Sequence, residues 1–272
     1  MRRHLATAIV AMSMVLGLTA PAAGIVSGAP DGNGHPYVGG LVVQVPTADG
    51  PVNVLICSGT LVSATVFVTA GHCTAVLDET GFAAFVTLDP EFDWQDPDTL
   101  LPGRHTTHEL YGTGFPATYD IGVVVLDGAG AAPILGAGFD YPELAPIGYL
   151  DSLTTKRGLQ SQDLTAVGYG SYGFASKGVN YEPLYDDIRR VATVKLVNLN
   201  GGYADGWNLK HSGNPGKGRG STCHGDSGGP ILQGSLIVAI TSFGIAPQCA
   251  GNGYAFRADI DVTHEFVGRF PS

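Results

Sequence analysis

Charge is what this sequence has least of. Its 14 Lys or Arg and 24 Asp or Glu make up 14% of 272 residues, against a usual ~25%. The balance is −10, so the basic footprint of a nucleic-acid binder is missing and no such partner is expected. Cysteine is confined to positions 57, 73, 223 and 249 with no CxxC spacing, which argues against a structural zinc site. No apolar run beyond the first 24 residues approaches the length of a membrane span. Sustained helical periodicity is scarce too, and with it the expectation of a helical bundle. What the chain does hold is glycine, 40 residues or about twice the usual ~7%, and 44% hydrophobic residues. That supplies one large core or two modest ones, with frequent turns, and excludes global disorder.

The N-terminus reads as an export address. Arg2, Arg3 and His4 precede an apolar run over residues 5–20, and the small residues Ala22, Ala23 and Gly24 follow. Such a run is short for a bilayer span and fits a cleaved secretory signal. The Arg pair lacks the surroundings of a twin-arginine signal, so general secretion is expected. The expected division is a signal peptide over 1–24 and an exported domain over 25–272, extracellular and free of the membrane once cut. An even cysteine count agrees with an oxidising compartment. Three disulfide pairings are formally possible; sequence neighbours favour Cys57 with Cys73 and Cys223 with Cys249.

Short β-branched and apolar runs recur between Gly, Pro and Asp clusters, at residues 41–45, 60–69, 121–126, 164–167, 191–197 and 231–241. They are mostly too short for helices and predict an all-β barrel or sandwich. Only residues 262–270, after a possible cap at Asp261, carry a helical pattern, with Val262, Phe266 and Val267 on one side. A Gly/Ala/Pro-rich stretch over 128–146 is the expected linker between two β modules, 25–145 and 146–272. Residues 200–220 form a second long irregular stretch, of the kind that tends to be functional or mobile.

The densest chemical signal is Cys223-His224-Gly225-Asp226-Ser227-Gly228-Gly229-Pro230. A serine flanked by glycines can sit on a tight turn that exposes its hydroxyl and turns neighbouring N–H groups toward one point, as acyl transfer requires. Upstream, Thr69-Ala70-Gly71-His72-Cys73 supplies a base and Tyr119-Asp120-Ile121-Gly122 an acid. These blocks, in this order, resemble the chymotrypsin/trypsin family of serine proteases, from Ile25-Val26-Ser27-Gly28 to the terminal helix. The resemblance implies two antiparallel six-stranded β-barrels with the active site between them, no cofactor or metal, and protein or peptide substrates. It implies Ser227 as nucleophile, His72 as general base and then acid, Asp120 as the group that orients His72, and the N–H groups of Gly225 and Ser227 as the oxyanion hole. A non-catalytic binding module on the same fold is the alternative, against which all three chemical residues stand in place. A monomer is expected.

Other patterns fail on context. Gly225-Asp226-Ser227-Gly228-Gly229 fits a hydrolase elbow, but the only later His is His264 and no alternating strand–helix pattern surrounds it. Gly168-Tyr169-Gly170-Ser171-Tyr172-Gly173 fits a dinucleotide fingerprint without the amphipathic helix that should follow. His105, His108 and Glu109 lie in a Gly/Pro/Thr-rich segment with no helix to align them. The acidic loop 89–98, with Asp89, Glu91, Asp93, Asp96 and Asp98, has carboxylates that suit calcium but lacks the turn glycine of an EF-hand.

By the same resemblance, Ser221 lies at the base of the primary specificity pocket, with Ser242, Phe243, Gly244 and Gly253 along its walls. An uncharged base cannot repay the desolvation of a substrate cation, so a large apolar or aromatic side chain is expected there and a Lys or Arg preference is the alternative. Ile25 resembles the family's mature N-terminus, whose ammonium would pair with Asp226. No Lys or Arg precedes Ile25, so signal cleavage after Gly24 would itself create that terminus.

Overall fold

A computed structural model of the chain describes residues 25–95, 100–153, 162–177, 180–213 and 219–271. The expected export segment 1–24, and Asp96 and Asp98 of the acidic loop, lie outside the described residues. Among the described residues no helix is long and apolar enough to cross a membrane.

A short strand, β1 (Ala29–Pro30), precedes the first barrel. That barrel is built from β2 (Val38–Thr47), β3 (Gly50–Leu61), β4 (Val66–Thr69), β5 (Ala84–Thr87), β6 (Leu101–Thr107) and β7 (Gly122–Leu126). It closes in the order β2-β3-β4-β7-β6-β5, every pairing antiparallel. Alternate apolar residues turn inward, and Leu41, Phe67, Val86 and Val123 are fully buried in its core. Between β4 and β5 lies a helix, α1 (Gly71–Thr80).

The connection to the second half carries α2 (Ala132–Leu135), β8 (Glu143–Leu144) and α3 (Tyr149–Ser152). The second half holds β9 (Asp163–Gly168), a separate hairpin of β10 (Gly173–Lys177) and β11 (Asn180–Leu184), then β12 (Arg190–Asn198) and β13 (Asn208–Ser212). It ends with β14 (Pro230–Gln233), β15 (Leu236–Gly244), β16 (Asn252–Arg257) and α4 (Asp261–Val267). The order β12-β13-β16-β15-β14-β9 closes through β12 pairing with β9, giving a second six-stranded antiparallel barrel. Its core includes Leu164, Val194, Ile231, Val238 and Ile25. The all-β class, the two barrels and the C-terminal helix therefore stand as expected.

Several local expectations differ from the structure. Residues 60–69 are the end of β3, a turn and β4; residues 231–241 are β14, a turn at Gly234 with φ of 61°, and part of β15. The terminal helix starts at Asp261, with Ile260 rather than Asp261 in the cap position. The irregular stretch 200–220 contains β13. Helix α1 was hidden because it opens on Gly71 after Ala70, with no capping side chain to announce it.

Two features lock the halves together. Arg189 is fully buried; its Nε donates to Asp31 at 3.0 Å, Nη1 to the carbonyls of Val38 and Leu88 at 2.9 and 3.0 Å, and Nη2 to the Gly32 carbonyl at 2.6 Å. One guanidinium thus holds the N-terminal segment and two strand ends of the first barrel. At the other end, α4 leaves the second barrel and buries Phe266 and Val267 in the core of the first.

Candidate active site

The site residues converge where the barrels meet. His72 sits in the first turn of α1 and Asp120 two residues before β7, after Tyr119 in a left-handed conformation with φ of 47°. That turn aims the carboxylate back at the helix start. Asp120 Oδ1 accepts the backbone N–H of His72 at 2.8 Å, and Oδ2 lies 2.9 Å from His72 Nδ1. Ser242 Oγ, in β15, donates to Asp120 Oδ2. Burial pushes the Asp120 carboxyl up, but the charge of His72 and the hydrogen bonds from His72 and Ser242 outweigh it and hold the carboxyl below its ordinary value. For His72, burial works downward; the hydrogen bond and charge of Asp120 win and raise the imidazole above its ordinary value.

Ser227 lies three residues before β14 and four after Cys223, which the disulfide to Cys249 holds in place. The second disulfide joins Cys57 in β3 to Cys73 in α1 and fixes the turn that carries His72. The expected pairings are thus those present, and no free cysteine remains among the described residues. The Ser227 loop leans on Ser58 of β3, whose N–H donates to the Ser227 carbonyl at 2.8 Å and whose Oγ donates to the Gly225 carbonyl at 2.9 Å. Gly225 takes a φ of 93°, which disfavours any side chain, and Gly228 at 82° lies so close to Thr69 that a Cβ would fall 2.1 Å from its Oγ1. Among the described residues the N–H groups of Gly225 and Ser227 find no protein acceptor, and Ser227 Oγ makes no hydrogen bond to His72.

Asp226 is fully buried and turns away from the cleft. Its carboxylate accepts the N–H of Gly170 at 2.8 Å and of Cys223 at 2.8 Å. A Cβ on Gly170 would meet Asp226 Cγ at 2.5 Å and one on Gly168 would meet Asp226 Oδ1 at 2.4 Å, so two glycines of the rejected dinucleotide pattern serve to admit this carboxylate. Among the described residues no hydrogen bond or ion pair joins Ile25 to Asp226. Ile25, here an internal residue of the chain, buries its side chain in the second barrel, and the carbonyl of Val26 next to it accepts the Ser221 N–H at 2.9 Å.

Two cavities adjoin at Ser242 and Phe243. The first, about 260 Å³, is lined by Ser221, Thr222, Ser227, Ser242, Gly244 and Asn252 among others, with no carboxylate among the described residues. Gly253 is not on that wall. The space its side chain would take is filled by the ring of His211, so its lack of a Cβ does not widen the slot. The second cavity, about 690 Å³, is lined by His72, Asp120, Tyr111, Phe115, Thr118 and Phe243. Phe243 stacks on Tyr254 at 4.8 Å and Phe115 meets Phe243 edge-on at 5.5 Å. Thr222, His211 and Phe115 escape sequence reasoning because nothing in their local patterns ties them to the pocket.

An imidazole paired with a buried carboxylate, a serine in a glycine-rich loop and a cleft between two six-stranded barrels define the architecture of a serine endopeptidase. The chain belongs to the trypsin family, whose model matches residues 25–267. It is 30% identical over 209 residues to brachyurin of Leptuca pugilator, covering 74% of this chain and 81% of that protein. Among solved structures it is similar to HL collagenase, at 17% identity and a TM-score of 0.61 over 89% of this chain and 98% of that one. Mouse neuropsin, a serine protease, matches at 20% identity and a TM-score of 0.56 over 84% and 92% of the respective chains. The last two likenesses are likenesses of fold. The chain is a serine-type endopeptidase, and its substrates are proteins or peptides.

Proposed function

We propose that the protein cleaves peptide bonds through Ser227, His72 and Asp120, with the N–H groups of Gly225 and Ser227 as its oxyanion hole. The observation that carries this reading is the buried Asp120 gripping both the backbone N–H and Nδ1 of His72, which leaves Nε2 facing the cleft as a base. Ser227 Oγ attacks the substrate carbonyl carbon while His72 takes its proton; the carbonyl oxygen becomes an anion that the two free N–H groups receive. His72 then protonates the departing amine, and water repeats the sequence to release the acid. The Ser227–His72 hydrogen bond absent here is one that forms with substrate in place.

The uncharged cavity at Ser221 suits a large apolar or aromatic side chain on the acyl side of the bond, since a Lys or Arg would lose its hydration there without an anion to replace it. The enzyme acts as a secreted monomer after removal of residues 1–24, and the new ammonium of Ile25 then pairs with Asp226 to set the oxyanion loop. Labelling by a serine-directed fluorophosphonate tests the core of the reading. Ser227 should be the labelled residue, and Ser227→Ala should lose about 10⁶-fold in kcat while keeping its fold. A folded Ser227→Ala enzyme with more than a tenth of the wild-type kcat/KM would sink the assignment.

A further inference from the structure

His211 is a buried histidine that this chemistry leaves unused. It stands in β13 opposite Gly253 of β16, and its side chain is fully buried. A Cβ on Gly253 would lie 2.5 Å from His211 Cε1 and 2.6 Å from Nε2, so the imidazole occupies the room that the glycine leaves. Nε2 lies 3.3 Å from Thr222 Oγ1, and Nδ1 has no hydrogen-bond partner. Thr222 in turn lines the primary cavity beside Ser221. The histidine therefore stands behind the cavity wall and touches it through one hydroxyl.

The tautomer follows from the hydrogen-bond inventory. An orphaned buried N–H is the rarer and costlier defect, so the proton belongs on Nε2, where it is donated to Thr222 Oγ1, and Nδ1 stays bare. Burial pushes the imidazole down to about 4 with no charged group contributing, so the ring is neutral at working pH. The adjacent Lys210 places its ammonium over the Tyr254 ring, 6.0 Å from its centre. Because Thr222 Oγ1 already accepts from the imidazole, its own proton is left for whatever fills the cavity.

The geometry points to His211 as a positioning residue for substrate selection: through Thr222 it makes the wall of the primary pocket a hydrogen-bond donor, so that among large side chains the pocket takes Tyr before Phe. The inference rests on the protease reading of this pocket. A Phe ring would leave the Thr222 hydroxyl buried without an acceptor, whereas the phenol oxygen of Tyr supplies one; sites built to bind a substrate hydroxyl reject the analogue that lacks it.

The test uses the active enzyme and matched peptide amides that differ only in Tyr or Phe before the scissile bond. Wild type should favour Tyr by about tenfold in kcat/KM. Thr222→Val should bring the ratio to about one, because it removes both the hydroxyl that Tyr pairs with and the unpaired group that Phe leaves behind. His211→Leu should do the same, and His211→Gln, which keeps an N–H donor, should retain part of the preference. A purely structural role would lower both substrates alike. Equal cleavage of both peptides by wild type, or a Tyr preference that survives Thr222→Val, overturns the relay while leaving the protease reading intact. If neither peptide is cut and Ser227 takes no fluorophosphonate, both readings fall. Should His211→Leu not fold, ¹⁵N NMR of the wild-type imidazole decides: the Nε2–H tautomer supports the relay and the Nδ1–H tautomer overturns it.

Discussion

Asp226 is fully buried, and desolvation pushes its carboxyl up to about 7 from an ordinary 3.8 even though Gly170 and Cys223 both donate to it. Between those values the folded chain holds a proton that the unfolded chain has released. Stability of the chain that still carries residues 1–24 should therefore fall as pH rises from about 4 to about 7 and stay level above. Asp226→Asn should flatten that segment, as read by urea unfolding at a series of pH values. In a chain beginning at Ile25 the free ammonium would supply the missing counter-charge and flatten it too. Persistence of the slope in that chain, with full activity in Asp226→Asn, would refute the proposed pairing. The neighbouring carboxylate Asp120 shows the contrast: equally buried, it is held below its ordinary value because His72 and Ser242 serve it directly.

At the scale of elements, α4 acts as a clasp. Phe266 is fully buried, 5.0 Å from the His108 ring and 5.5 Å from Phe270, in a core made mostly by the other barrel. Phe266→Ala should cost about 3–5 kcal/mol, seen as a lower urea midpoint at unchanged slope. This helix was legible because Val262, Phe266 and Val267 repeat at helical spacing, and strands β2, β7, β9 and β12 because β-branched runs stand between turn residues. Helix α1 was not, since neither a cap nor an apolar stripe marks it, and β13 was lost in its glycine-rich surroundings. The site divides the same way. His72, Asp120 and Ser227 each sit in a contiguous block and could be read from sequence; the partnership of His211 in β13 with Thr222 in the loop before β14 joins residues that no local pattern connects. Ser242 was read as a pocket wall, and its bond to Asp120 emerged only when β15 was set against the turn before β7.

Across the whole molecule, Arg189 and Asp31 form an ion pair with both side chains out of reach of solvent. Arg189→Ala would leave Asp31 buried with a weaker set of partners and should cost about 3–5 kcal/mol, whereas Arg189→Met, which fills the volume, should cost less than Arg189→Ala. Thermal or urea unfolding distinguishes the two; equal losses would mean that the ion pair and hydrogen bonds, not packing, are what Arg189 contributes. Ser58 works on the same scale from the catalytic side, since this one residue of the first barrel holds the carbonyls of both Gly225 and Ser227 and accepts the N–H of Tyr169 at 2.9 Å. Two-lobed proteins ordinarily hinge. Here a gaping motion would tear the loop that carries Ser227 from its support on Ser58, so the cleft has to stay narrow in order to work. A narrow cleft admits a threaded strand and excludes a folded surface, which makes the local unfolding of the target, rather than any opening of the enzyme, the step that should govern which bonds in a native protein are cut.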